Sequence, residues 1–162
     1  MAEYKITTPS VIRIKGLQPN DIYGMHSLLK QEGCIDSENM FTDEDRCISL
    51  DDIQTRLAQK NQARKLASAD MLLCVNKNRY LLADAKFNSE NVKNLSPTEL
   101  SQKLTESKAL ILSDDYTFCN AFYVLFKTKV LTPSQHNHLK RQFINKPQFR
   151  FLNAVQFKAL FE

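Results

Sequence analysis

Two aspartates and a lysine stand out in a stretch that is otherwise apolar. Asp70 precedes the run Met71-Leu72-Leu73-Cys74-Val75, and Asp84 and Lys86 interrupt a second run from Tyr80 to Phe87. Residues two apart on a strand project from the same face, so Asp84 and Lys86 would lie side by side. Burying either charge unpaired is costly, so each needs the other, a metal ion or water. This is the one local conflict between charge and hydrophobic pattern, and such conflicts tend to mark function. Mg²⁺ takes oxygen ligands and keeps several waters, so one or two carboxylates plus a substrate phosphate can hold it. The ion lowers the pKa of a bound water, and a nearby lysine adds positive charge where negative charge develops. The chemistry such a trio suits is metal-assisted hydrolysis at phosphorus.

The trio works only if Asp70 returns to the end and face that carry Asp84. Asn76-Lys77-Asn78-Arg79 is turn chemistry between two short apolar runs, which predicts a β-hairpin. A four-residue loop over these positions pairs Val75 with Tyr80 and sets Asp70 opposite Ala85, on the wrong face. A three-residue loop instead pairs Asp70 with Asp84 or with Lys86, and a bend at the start of the first strand would serve as well.

Asp70, an apolar strand, then Asp84-Ala85-Lys86 at the end of the next strand resembles the PD-(D/E)XK nuclease signature, with Ala69 where the family often has proline. The resemblance spans roughly residues 45 to 130 and implies a restriction endonuclease-like core. It implies that Asp70 and Asp84 bind Mg²⁺ (or Mn²⁺), helped by the backbone carbonyl of Ala85. Lys86 would then position or activate the attacking water. The family's helix between this hairpin and the following strand would be Pro97–Ser107, and the strand Ala109–Leu112. The helix before the hairpin often adds a glutamate ligand. Here the helix from about Leu50 offers Asp51 and Asp52 but no glutamate, and Glu44 lies just before it. The implied partner is nucleic acid, DNA in the first instance, and small nucleases of this kind often work as homodimers. The rival reading is an inactive interaction, immunity-type or regulatory protein that keeps the fold, and the missing glutamate favours it.

The elements around the hairpin are legible to different degrees. A helix is expected after Asn20, with Ile22, Met25 and Leu29 on one face and Gly33 ending it. Asp36 to Asp45 reads as a loop. Ser49 with Asp52 three residues on opens a second helix, whose stripe is Leu50, Ile53 and Leu57. Ser96-Pro97-Thr98-Glu99 and Thr132-Pro133-Ser134-Gln135 are capping boxes with proline at the first helical position, and the second opens a helix carrying Leu139 and Phe143. Asp114 and Asp115 can open a helix through Tyr116 to Phe126, although aromatic and β-branched residues there would also suit a strand. The chain ends in an alternating Phe149/Phe151 strand and a short helix from Ala154 to Phe161. The expectation is a single α/β domain over 1–162, a mixed central sheet flanked by helices.

Composition narrows the remaining classes. With 43% hydrophobic and 25% charged residues the 162-residue chain is globular, and its net charge of +4 tolerates a polyanion without demanding one. Glycines 16, 24 and 33 stand isolated, which excludes a Gly-rich phosphate loop, and no serine elbow is present. Cysteines 34, 47, 74 and 119 have no zinc-site spacing and read as reduced thiols of a cytoplasmic protein. No apolar run reaches transmembrane length, and the N-terminus has no apolar signal segment. His136-Asn137-His138 spells another nuclease motif, but behind a capping box these are ordinary helix residues. Lys60, Arg64, Lys65, Lys77, Arg79, Lys140 and Arg141 could contact phosphates or form a solvated face. The aromatics of residues 116–126 alternate with apolar rather than basic neighbours and read as core.

Overall fold

The computed structural model describes residues 2–9, 13–112 and 115–162. In chain order its elements are β1 (Ile6–Thr7), β2 (Ile22–Gly24), α1 (Met25–Gln31), β3 (Arg46–Ser49), α2 (Leu50–Lys60), β4 (Met71–Val75), β5 (Arg79–Ala85), α3 (Pro97–Lys108), β6 (Thr117–Phe126), α4 (Pro133–Gln142), β7 (Phe149–Asn153) and α5 (Ala154–Ala159). One seven-stranded sheet runs in the order β2-β3-β4-β5-β6-β7, and β1 pairs with β4. Neighbours from β2 to β5 are antiparallel, whereas β5, β6 and β7 run parallel. The fold is α/β with a mixed central sheet between helices.

Strand parity divides the core in two. Leu72, Cys74, Tyr80, Leu82, Phe122 and Val124 face one side, packing with Leu50 and Ile53 of α2, Leu100 of α3 and Leu139 of α4. Met71, Leu73, Val75, Leu81, Ala83, Tyr123 and Leu125 face the other, against Leu28 and Leu29 of α1 and Phe157 of α5. All five residues of β4 are buried, which is why the run shows no polar alternation. Asp84 has even parity on β5, so its side chain falls on the α3 face.

The helix caps form as the sequence implies. Ser49, Ser96 and Thr132 side chains accept from the N–H groups of Asp52, Glu99 and Gln135 at 3.3, 3.2 and 3.3 Å. Three expectations need correction, and one strand was not expected. The helix expected after Asn20 starts only at Met25, because Ile22 to Gly24 pair with β3; Gly33, at φ +98°, does end it. Behind the 36–45 loop lies β3, whose short Arg-Cys-Ile-Ser sequence carries no alternation. The segment from Tyr116 to Phe126 is no helix. It supplies β6, since its aromatic and β-branched side chains fit a pleated surface buried on both faces in its C-terminal half. Asp114 lies outside the described residues. Ala109–Leu112 is reduced to one bridge, Ile14 to Ile111. Among the described residues no helix is long and apolar enough to cross a membrane.

The β4–β5 turn is the three-residue one, Asn76-Lys77-Asn78, with Val75 paired to Arg79. Asn76 and Lys77 both take positive φ, 54° and 73°. Asn76 is held there by Lys5, whose N–H donates to Asn76 Oδ1 at 2.9 Å and whose carbonyl accepts from Asn76 N–H at 2.8 Å. Among the described residues Lys77 has no comparable anchor, and it carries the left-handed penalty of an L side chain. Lys77→Gly is therefore expected to stabilise the chain by about 0.5–1 kcal/mol after the entropy of the added glycine is deducted. Thermal denaturation reads this as a rise of roughly 1–4 °C, and an unchanged or lower midpoint would show that the turn is unstrained.

Candidate active site

The three-residue turn decides the geometry of the hairpin's far end. Met71 pairs with Ala83, so one step further along the ladder Asp70 stands opposite Asp84. Asp70 N–H donates to Asp84 Oδ1 at 3.3 Å, and Ala85 N–H donates to Asp70 Oδ2 at 2.7 Å. Lys86 continues past β5, tied to β6 by its own N–H on the Leu125 carbonyl at 2.7 Å. Its Nζ reaches Asp84 Oδ2 at 3.1 Å. All the residues singled out from the sequence, Asp70, Asp84, Ala85 and Lys86, thus meet at one point. Asp84 is fully buried, while Asp70, Ala85 and Lys86 are half-buried at the end of the sheet.

Sequence reasoning missed Lys103. From α3 its Nζ lies 3.0 Å from the same Asp84 Oδ2. The signal was present: Leu100, Lys103, Leu104 and Ser107 form one helical stripe, and a lysine on a core-facing stripe must find a counter-ion. Burial acts against the charged form of Lys103, but Asp84 outweighs it and the ammonium's pKa ends up raised.

Glu32, which caps the C-terminus of α1, is a further carboxylate within electrostatic reach of Asp70. Burial, then the charges of Asp51, Asp84 and Asp52, raise its pKa. No local pattern marks it, because its position depends on how α1 docks. The two aspartates considered for that role have other partners: Asp51 holds Lys65 at 2.6 Å and Asp52 accepts from Tyr23 Oη at 2.5 Å. His136 and His138 are half-buried residues of α4.

Asp70 is the group most perturbed by this setting. Burial, reinforced by the charge of Asp84 and opposed by the Ala85 N–H, raises its carboxyl to about 8. Among the described residues no group of three or more His, Cys, Asp or Glu side chains is gathered to hold a metal ion. The Asp70–Asp84 pair nonetheless supplies carboxylate oxygens of the kind Mg²⁺ or Mn²⁺ takes, with water completing the shell, while Lys86 and Lys103 already offset the charge of Asp84. Lys86 and Lys103, which hold Asp84, also line a cavity of about 360 Å³ whose other polar residues include Asn88, Asn91, Asn94, Glu90 and Glu99. Its size is that of a small-ligand pocket, and two carboxylates stand against its two lysines.

Comparison with known proteins finds no family model that matches this chain, and no match among curated proteins or solved structures.

Two predictions follow from the charges. With its carboxyl raised from 3.8 to about 8, folded Asp70 keeps a proton that the unfolded chain loses above about pH 4. Its contribution to stability is therefore full below that pH and is lost as pH rises through about 8. Asp70→Asn should leave the melting temperature nearly unchanged at pH 4 and raise it at pH 9, by about 2–4 °C for each 1 kcal/mol recovered. A parallel pair of pH–melting curves would rule this out. Lys103→Met leaves Asp84 with one ammonium and should cost about 1–3 kcal/mol in urea denaturation; no loss would mean Lys86 alone suffices.

Proposed function

We propose that this chain is a Mg²⁺- or Mn²⁺-dependent nuclease hydrolysing phosphodiesters in DNA, on a restriction endonuclease-like core of PD-(D/E)XK type. The observation that carries the reading is the hairpin register, which brings Asp70 and Asp84 face to face with Lys86 beside them. The α3 crossover between the parallel strands β5 and β6 is compatible with it: the resemblance calls for a helix and then a strand, and β6 rather than Ala109–Leu112 supplies that strand.

Asp70 and Asp84 would hold the ion, with the Ala85 carbonyl as a further ligand. When bound, the ion activates water and offsets charge on the phosphate. Lys86 presents an ammonium at the cavity side, where it orients the nucleophilic water and stabilises the developing negative charge. Lys103 acts through Asp84, as a positioning residue. Nucleic acid is the partner, and a homodimer in the cytoplasm is the expected setting; four free cysteines are consistent with a reducing compartment.

A second reading rests on Asp84 Oδ2 being held by both lysines, so that most of the local charge cancels within the chain. Under it the chain keeps its fold without activity and serves as an immunity-type or regulatory module. Cleavage of supercoiled, linear and single-stranded DNA with Mg²⁺ or Mn²⁺, wild type beside Lys86→Ala, separates the two. The nuclease reading expects metal-dependent cutting that falls about 100-fold or more in the variant. It also expects Mn²⁺ uptake at pH 7 to release a proton, seen in calorimetry as heat that varies with the buffer. Wild type and variant equally inert on these DNAs and on RNA, with no Mn²⁺ uptake, would leave the second reading.

A further inference from the structure

Among the described residues the strand β7 ends the sheet, bonded to β6 on one side and paired with no strand on the other. Phe122 N–H donates to the Gln148 carbonyl at 2.8 Å, and the register pairs Phe122 with Phe149 and Val124 with Phe151. Backbone polar groups alternate in direction along a strand. Arg150 therefore turns its N–H and C=O toward β6, while Phe149 and Phe151 turn theirs outward. Phe149 N–H is taken by the Lys146 carbonyl at 3.2 Å. Among the described residues the Phe151 N–H and the Phe149 and Phe151 carbonyls have no backbone partner. An edge of this kind is a template for one more strand.

Beside the edge lies a cavity of about 410 Å³ with an apolar floor of Phe143, Ile144, Pro147 and Phe151. Ile144 is 74% exposed, more than any other large hydrophobic side chain among the described residues. The rim is basic. Lys146 is held by Ser101 Oγ at 2.9 Å, but Lys140 and Arg150 are exposed and have no carboxylate partner among the described residues. Phe143 and Phe151 are themselves buried, so an exposed Ile144, an unpaired backbone edge and two uncompensated cations are what converge on one place.

Those charges select the occupant. Two copies of this chain joined edge to edge about a two-fold axis would bring Arg150 and Lys140 against the same charges, which is unfavourable. An acidic segment is favoured. Its pattern follows from parity: Phe149 and Phe151 face the side that holds Phe143, and Arg150 faces the other. A strand added to β7 lays alternate side chains over Phe143 and Ile144 and sets the rest beside Arg150. We propose that the β7 edge binds an extended segment of another protein in which apolar and acidic residues alternate.

The test titrates the full chain into a fluorescein-labelled hexapeptide alternating glutamate and valine, beside a counterpart with lysine for glutamate. Anisotropy should show binding of the acidic peptide, and at least about tenfold weaker binding of the lysine one. Arg150→Glu and Ile144→Asp, both at exposed positions, should each weaken the acidic peptide by about tenfold. Hydrogen exchange at the Phe151 amide should slow when that peptide is bound. The proposal is overturned if the acidic peptide fails to bind at millimolar concentration, or if the two peptides bind alike. It is equally overturned if Phe151 exchange is unaltered, or if sedimentation shows a dimer that Arg150→Glu dissociates.

Discussion

A carboxylate with no exposed surface sits at the end of the central hairpin, and much of the surrounding structure is arranged to make that tolerable. Leaving an ion such as Asp84 without partners in the interior costs several kcal/mol even after relaxation. Three donors answer it: the Asp70 N–H on one oxygen, Lys86 and Lys103 on the other. They come from the residue just before β4, from the chain just beyond β5 and from α3, so turn length, register and helix packing are constrained together. The helix α3 also holds the approach to β4, since Ser107 Oγ accepts from Ala69 N–H at 2.8 Å and Glu106 accepts from Ala67 N–H. One helix thus positions Asp84 through Lys103 and Asp70 through the segment that delivers it.

What could be read from the sequence follows from the range of the interactions involved. The starts of α2, α3 and α4 depend on a cap and the next turn, and all three were legible from Ser49, Ser96 and Thr132. The hairpin was legible because two apolar runs flank asparagine-bearing turn residues. Which turn closes it was not, since that depends on Lys5, just before β1 and far away in sequence, pinning Asn76. The β6 segment misled for another reason. An element buried on both faces shows no period, and an acidic pair before an aromatic run resembles a helix start. At the site, Asp70, Asp84 and Lys86 could be named from their conflict with the apolar pattern. Lys103 was visible in principle as a lysine on an apolar stripe, whereas Glu32 depends on the docking of α1.

The two aspartates are chemically alike, and their surroundings set them apart. Asp84 has two ammonium groups on one oxygen. Asp70 has one backbone N–H and faces the charges of Asp84 and Glu32, so burial and repulsion raise its carboxyl. Any additional cation entering this cluster therefore goes first to Asp70, where a proton binds more tightly than to an ordinary carboxylate. On the nuclease reading the divalent ion and the proton compete for that one place, so metal uptake and proton loss become a single event. On the structural reading the proton is the final partner, Lys86 and Lys103 complete the balance, and no exchange takes place. The difference lies in whether the carboxyl group of Asp70, with its backbone already fixed by the hairpin, accepts two positive charges where it now accepts one.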